Sequence, residues 1–92
     1  MTNRCLHIFV SGLVQGVYFR ANSLKKAKSL GVTGWIKNLG DGRVELMVEG
    51  KETLVNQMLE WCKQGPPRAK VNNISVDDIL FQNKFTEFII KY

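Results

Sequence analysis

Apolar and polar residues alternate with a period of two near the start of the chain. Leu6, Ile8 and Val10 hold the apolar positions of this pattern. A period of two is typical of a β-strand with one buried face, because successive side chains point to opposite faces of a sheet. The pattern predicts a first strand that ends at Gly12.

The apolar spacing then becomes helical. Over the stretch from Arg20 to Leu30, apolar residues recur every three or four positions, at Ala21, Leu24, Ala27 and Leu30. Gly31 is the residue type preferred just beyond the end of a helix. We expect a short helix over this stretch.

A β-hairpin is predicted after this helix. Its first strand spans Thr33 to Asn38, and Asp41-Gly42 is a strong turn signal. In the second strand, apolar positions alternate with polar ones at Val44, Leu46 and Val48.

A second helix is predicted from Glu52 to Lys63. Its apolar residues recur at helical spacing, at Leu54, Val55, Met58, Leu59 and Cys62. The helix cannot continue through Gly65-Pro66-Pro67, since proline lacks the backbone N–H that a helix needs.

Two more strands are expected, around Val71 to Val76 and from Phe85 to Tyr92, with Phe88 and Ile90 as alternating apolar positions of the last one. The complete order is strand, helix, strand, strand, helix, strand, with a terminal strand added. This order predicts an α+β fold of the ferredoxin-like βαββαβ type. Two helices would cover one face of a mainly antiparallel sheet of four to five strands, in one domain over residues 1–92.

Composition narrows the class of protein. The chain has 92 residues, of which 45% are hydrophobic, and no apolar run approaches the roughly 20 residues of a membrane span. The first residues lack the apolar segment of a secretory signal, so a cytoplasmic protein without a membrane partner is expected. Two cysteines, Cys5 and Cys62, are too few for a disulfide framework and should be reduced thiols there.

The net charge of +5 favours anionic partners: nucleic acid, acidic lipid headgroups or a small phosphorylated substrate. The basic residues are scattered, which is typical of solvated surfaces. The third strand, "RVELMVEG", lacks the aromatic and glycine-rich signature of an RNA-recognition sheet. We therefore expect no nucleic-acid partner.

The stretch "SGLVQGVYFR" links the first strand to the first helix. Backbone N–H groups and the positive end of the helix dipole converge at such a junction. Gly16 could turn consecutive N–H groups inward, and Arg20 could bind two phosphate oxygens with its planar guanidinium. A glycine-containing turn followed by a surface-paired arginine fits the spacing equally well. The stretch matches neither the P-loop nor the dinucleotide-binding pattern.

A second stretch, "CKQGPPR" from Cys62 to Arg68, matches the spacing of cysteine and arginine in tyrosine phosphatases. That chemistry needs a thiolate in a loop that leads into a helix N-terminus. Here the cysteine lies at the end of a helix, and Pro66 and Pro67 remove two N–H donors. We interpret Cys62 as a packing residue.

Other chemistry-bearing residues favour structural roles. His7 is the only histidine, and no third and fourth metal ligands accompany Cys5 and His7, so both are expected at the surface or boundary of the first strand. Trp35 and Trp61 could stack on a base, but packing in the core or in a groove is more common at strand and helix positions.

Two motifs together resemble the acylphosphatase family. They are "GLVQGVYFR" after the first strand and "LGVTGWIKNLGDGRVE" at the hairpin, and "FTEFIIKY" is similar to the last strand of that family. The resemblance covers essentially the whole chain. It implies a ferredoxin-like fold and hydrolysis of the carboxyl-phosphate bond of acyl phosphates, with no metal and no cofactor.

The resemblance also implies roles for individual residues. Arg20 corresponds to the phosphate-binding arginine, and Asn38 to the asparagine that positions the attacking water. The backbone N–H groups that bind phosphate correspond to Gln15, Gly16, Val17, Tyr18, Phe19 and Arg20. Ser23 lies near a position where many members carry a hydroxyl, and Leu39 replaces a threonine of some members.

The implied partners are a small acyl phosphate and inorganic phosphate, bound by a monomer. The alternative is a ferredoxin-like anion-binding or interaction module without catalysis, basic enough to dock an acidic partner and retaining the motif as a relic. The presence of both Arg20 and Asn38 favours the enzyme.

Overall fold

The architecture is a five-stranded sheet with two helices, in a computed structural model that describes residues 2–92. In chain order the elements are β1 (Asn3–Leu13), α1 (Phe19–Leu30), β2 (Thr33–Asn38), β3 (Val44–Lys51), α2 (Glu52–Gln64), β4 (Lys70–Ile79) and β5 (Phe88–Ile90). The strand order across the sheet is β4-β1-β3-β2-β5. Every neighbouring pair is antiparallel except β2 with β5. The ferredoxin-like prediction is confirmed, with a parallel edge strand that makes the sheet mixed.

The core lies between the sheet and the helices. The alternating residues of the central strands are completely buried there, namely Leu6, Ile8, Val10, Val44, Leu46 and Val48. Val55, Met58 and Cys62 of α2 join them, which confirms the predicted apolar face and the packing role of Cys62. Burying these side chains supplies the main favourable contribution to folding.

The end of β1 differs from the prediction. The strand does not end at Gly12 but continues to Leu13, and its register with β4 shifts between Ser11 and Gly12. The pairing passes from Ser11 with Asn73 to Gly12 with Val71, so Asn72 of β4 is the extra residue of a β-bulge, and β1 stays paired beyond Gly12. The bulge lies opposite the end of β1, just before the loop that leads to α1.

Helix α1 starts one residue earlier than predicted, at Phe19, and Gly31 ends it as expected by donating its N–H to Ala27 O and Lys28 O. Ala21, one of the apolar residues that predicted this helix, is exposed. The buried residues of this helix are Phe19, Ser23 and Ala27. Because the first turn borders a cleft, the side of the helix that carries Ala21 is not covered by the sheet.

The two last strands have different lengths from those expected. β4 extends over Lys70–Ile79, longer than the predicted 71–76, because β1 offers it a partner along its length. β5 is only Phe88–Ile90, much shorter than the predicted 85–92, and it pairs with the three residues Gly34 to Ile36 of β2.

The segment between β4 and β5 is fixed by a buried carboxylate. Glu49 of β3 is 2% exposed and points to the sheet face opposite the helices. It accepts hydrogen bonds from the backbone N–H groups of Gln82, Lys84 and Phe85, at 3.3, 2.8 and 3.3 Å. These donors compensate the loss of hydration of the buried charge.

The two cysteines lie on opposite faces of the sheet and are free thiols. The expectation that Cys5 lies at the surface or boundary is wrong: it is 3% exposed. The segment that Glu49 holds covers this end of the face, and Glu49 pairs with Cys5 across β1 and β3. Burial, and secondarily the nearby Glu49 charge, raise the pKa of the Cys5 thiol.

The remaining aromatic and histidine residues occupy boundary positions. His7 is half-buried, with Nε2 2.6 Å from Glu45 Oε2. Trp61 of α2 packs edge-on against Phe19 of α1. Trp35 lies half-buried on the sheet face opposite the helices, with the Lys91 ammonium over its ring. Over residues 2–92 no helix is both long and apolar enough to cross a membrane.

Candidate active site

The loop between β1 and α1 adopts a backbone conformation suited to anions. Gly16 has φ 74° and Tyr18 has φ 64°, and Val17 between them has no positive φ. Alternation of this kind turns successive N–H groups toward one side and forms a concave anion-binding nest. Space is no constraint at Gly16, since a Cβ there would meet nothing within 4 Å. The glycine is therefore required for its backbone angle.

The N-terminus of α1 adds to this positive environment. Tyr18 occupies the N-cap position without a side-chain hydrogen bond to the helix, and no acidic residue lies in the first turn. The N–H groups of a first turn have no partners within the helix and carry the positive end of its dipole. In α2, by contrast, Glu52 lies in the first turn. The start of α1 therefore keeps its donors available for an external anion.

Arg20 is the charged side chain at this helix start. Its guanidinium carbon lies 5.2 Å from the centre of the Tyr92 ring, a cation–π distance. Within the described residues 2–92, Arg20 forms no ion pair with a carboxylate. The alternative interpretation, an arginine paired with a surface acid, therefore finds no support. Its planar donors remain free for a bidentate ligand.

Asn38 is the last residue of β2, paired with Val44 at the end of the hairpin. Its Oδ1 atom is buried and has no hydrogen-bond partner among the described residues. Buried amide oxygens are nearly always satisfied, so this acceptor needs a donor from water or from a ligand. Ser23 Oγ is the other buried side-chain atom in this condition in the part of the chain described.

Gln15 connects the loop to the hairpin turn through its side chain. Its Nε2 donates to Leu39 O at 2.8 Å and to Arg43 O at 2.9 Å. Sequence reasoning considered only the backbone of Gln15. No local pattern could have revealed this contact, because it joins residues 24 and 28 positions apart.

These parts meet in one cleft with a volume of about 380 Å³. Of the residues predicted for the site, the cleft is lined by Gln15, Gly16, Tyr18, Phe19, Arg20 and Asn38. Val17 does not line it, since its side chain is 7% exposed and packs in the core. The lining that sequence reasoning missed is Val14, Ala21, Ile90 and Tyr92. Arg20 is the only charged side chain among the residues that line the cleft.

The phosphatase-like spacing from Cys62 to Arg68 forms no comparable site. Cys62 is completely buried near the end of α2, and burial raises the pKa of its thiol to about 12. A thiol with such a pKa is not a nucleophile at neutral pH. Within residues 2–92, no three His, Cys, Asp or Glu side chains are grouped as a metal ion would require.

Comparison with known proteins gives a consistent family. The chain matches the acylphosphatase family model over residues 6–90. It is 47% identical over 85 residues to an acylphosphatase from Methylococcus capsulatus, an alignment that covers 92% of each chain.

Solved structures agree with the sequence matches. An acylphosphatase from Coxiella burnetii has a TM-score of 0.91 at 40% identity, covering 97% of this chain and 93% of the other. The acylphosphatase from Bacillus subtilis has a TM-score of 0.92 at 38% identity, covering 97% and 99%. Fold, cleft and sequence therefore lead to one conclusion: the chain belongs to the acylphosphatase family.

Proposed function

We propose that this acylphosphatase cleaves its substrate by in-line attack of a water that Asn38 positions, while Arg20 and the β1–α1 loop bind the phosphoryl group. The products are a carboxylate and inorganic phosphate. The observation that carries the proposal is the convergence of loop, arginine and unsatisfied asparagine in one cleft.

Phosphate binding would combine backbone and side-chain donors. The N–H groups of residues 15–20 surround a small concave space, and Arg20 can bind two phosphoryl oxygens at once. Charge on the equatorial oxygens is what a phosphoryl-transfer site must stabilise. No acidic side chain lines the cleft, so no side chain there repels an incoming anion.

The attacking water would be held by the Asn38 amide. An amide offers one acceptor and two donors, so it can orient a water without exchanging a proton with it. The Oδ1 atom is the acceptor that the fold leaves without a partner. Correct placement of the nucleophile alone accounts for a large share of the rate in such reactions.

The leaving group explains why so few residues suffice. An acyl phosphate releases a carboxylate, which is a weak base and needs little help from a general acid. We infer that the departing carboxylate itself accepts the proton of the attacking water. The only histidine, His7, lies on the sheet face opposite the helices and has no role in this scheme.

The proposed test is hydrolysis of benzoyl phosphate in the presence of EDTA, with p-nitrophenyl phosphate as the control substrate. We expect chelator-resistant cleavage of benzoyl phosphate alone. Arg20→Ala should lower kcat by roughly 1,000-fold or more and weaken competitive inhibition by phosphate, because a bidentate charged contact is lost. Asn38→Ala should lower kcat by about 100-fold or more and leave phosphate inhibition largely unchanged.

Matched controls are available on exposed parts of the chain. Arg68→Ala and Asn73→Ala remove the same side-chain types from exposed positions outside the cleft, and both should keep wild-type kinetics. Equal loss of phosphate affinity in Arg20→Ala and Asn38→Ala would contradict the division of roles. A protein carboxylate as essential as Arg20 would contradict the substrate-derived base.

The setting of the enzyme is part of the same proposal. We propose a single-domain, metal-independent monomer in the cytoplasm. Free cysteine thiols are consistent with a reducing compartment. Sedimentation of the purified protein tests the monomer, and an unchanged rate after extensive dialysis against chelator tests metal independence.

A further inference from the structure

Gln15 belongs to the loop by its backbone and to the hairpin turn by its side chain. The half-buried amide nitrogen Nε2 spans the two parts, at 2.8 Å from Leu39 O and 2.9 Å from Arg43 O. Leu39 directly follows Asn38, so the first of these bonds holds the residue adjacent to Asn38.

The two acceptors mark the point where strand pairing stops. β2 ends at Asn38 and β3 begins at Val44, and the turn between them is closed by Leu39 N–H donating to Arg43 O at 2.8 Å. A primary amide has two N–H donors in a fixed plane, and here each meets one carbonyl. The contact is thus a two-point attachment, which restricts the turn more than a single hydrogen bond would.

We propose that Gln15 is a positioning residue: its side-chain amide fixes the turn that carries Asn38 relative to the phosphate-binding loop. This inference rests on the proposed function, since it assumes that Asn38 orients the attacking water. The two carbonyls of the turn occupy the N–H donors of the Gln15 amide. The amide thereby keeps the loop and the end of β2 at a constant separation.

This role has a kinetic signature. Phosphate is bound by backbone N–H groups and Arg20, and neither depends on the Gln15 amide. Loss of the amide should therefore lower kcat and leave phosphate inhibition nearly constant. A displacement of about 1 Å between water and phosphorus is enough to cost on the order of 100-fold in rate.

The test is a double-mutant cycle between Gln15→Met and Asn38→Ala, with benzoyl phosphate turnover and phosphate inhibition as readouts. Methionine keeps nearly the length and volume of glutamine but donates no hydrogen bond. In the wild-type background, Gln15→Met should lower kcat by about 10- to 100-fold and change the inhibition constant of phosphate by less than about 3-fold. In the Asn38→Ala background, the same change should lower kcat by less than about 3-fold, since residues that act through each other are not additive.

Two further variants complete the design. Gln57→Met makes the same exchange at an exposed position of α2 and should keep wild-type kinetics. If Gln15→Met does not fold, Gln15→Asn replaces it in the cycle. Asparagine keeps the amide but is one methylene too short to reach both carbonyls, so the same pattern with a smaller drop is expected.

The possible results distinguish failure of the proposed function from failure of the positioning role of Gln15. An inactive wild type would overturn the proposed function and this inference with it. An active wild type with Gln15→Met at wild-type kcat would overturn the inference alone. Equal fold-losses of kcat in both backgrounds would also overturn it, because they would mean that Gln15 acts independently of Asn38.

Discussion

Cys62 and Asn38 show how much the surroundings of one residue determine its chemistry. Cys62 carries a thiol near the end of α2, and Asn38 carries an amide at the end of β2. The thiol lies in the apolar core, whereas the amide lines the cleft. Burial makes the thiol inert by raising its pKa to about 12, whereas the amide keeps an unsatisfied acceptor.

The Cys62 thiol should make stability depend on alkaline pH. Its pKa is about 12 in the folded protein and about 8.5 in an unfolded chain. Below pH 8.5 the thiol is neutral in both states, and its full contribution to the free energy of unfolding is present. Above that pH the unfolded state loses the proton first, so the free energy of unfolding should fall by about 1.4 kcal/mol per pH unit until pH 12. Urea unfolding of wild type and Cys62→Ala between pH 8 and 11 measures this. As the pH rises, the free energy of unfolding of the wild type should fall relative to that of Cys62→Ala. A constant difference would contradict the assignment.

At the level of single residues, sequence predicted some features and could not predict others. The spacing of Gly16 and Arg20 fitted an anion-binding loop and a turn with a surface-paired arginine equally well, and the family resemblance favoured the first. Asn38 was identified through the family resemblance alone, since nothing local distinguishes it from another strand-end asparagine. The link from Gln15 to the turn depends on tertiary structure and was not predictable.

Among the elements, β2 illustrates how closely neighbouring backbones approach. At Gly34 the strand lies between β3 and β5, pairing with Val48 and Phe88. A Cβ at this position would lie 1.8 Å from Met47 O, and φ is 137°. No side chain fits without moving β3.

Gly34→Ala should therefore destabilise the protein by about 3 kcal/mol or more, through steric conflict and a backbone angle that L-residues rarely adopt. The matched control is Gly40→Ala in the hairpin turn, where a Cβ would meet nothing within 4 Å. Its effect should stay within about 0.5 kcal/mol. Urea unfolding of the two variants compares them directly. Similar free energies of unfolding for Gly34→Ala and Gly40→Ala would show that β3 can move to accept a side chain at position 34.

Elements with a strong internal pattern were predicted well, and elements that depend on a partner were not. β2 has the predicted bounds, and α2 differs by one residue at its end, because its apolar spacing and the following glycine and prolines define it locally. β5 was predicted much too long, because only three of its residues find a partner strand. β1 continues past Gly12 because β4 stays paired with it there, through a bulge at Asn72 that has no clear sequence signal.

For the molecule as a whole, binding and stability are linked through the cleft. Any ligand that binds only the folded state stabilises it, by an amount that grows with the logarithm of the ligand concentration above its Kd. The groups that would bind phosphate come from the β1–α1 junction and are assembled only when the chain is folded.

Phosphate should therefore raise the melting temperature. At a concentration tenfold above its Kd, the gain is about 1.4 kcal/mol, or roughly 5–10 °C for a domain of this size. Asn38→Ala should keep the shift, and Arg20→Ala should lose most of it. Thermal unfolding in phosphate and in chloride of equal ionic strength separates binding from general salt effects. An equal shift in Arg20→Ala would mean that phosphate acts as a solvent additive and not through the cleft.

The attachment of the 82–85 segment to Glu49 has a consequence for cleavage of the chain. A cut after Phe81 followed by loss of residues 82–92 would remove all three N–H donors and leave the Glu49 carboxyl group buried in β3 without partners. The damage would then fall on a central strand, not only on the edge strand that was lost. Trimming by a protease at this point should cause general unfolding, so a shortened but intact enzyme should not accumulate.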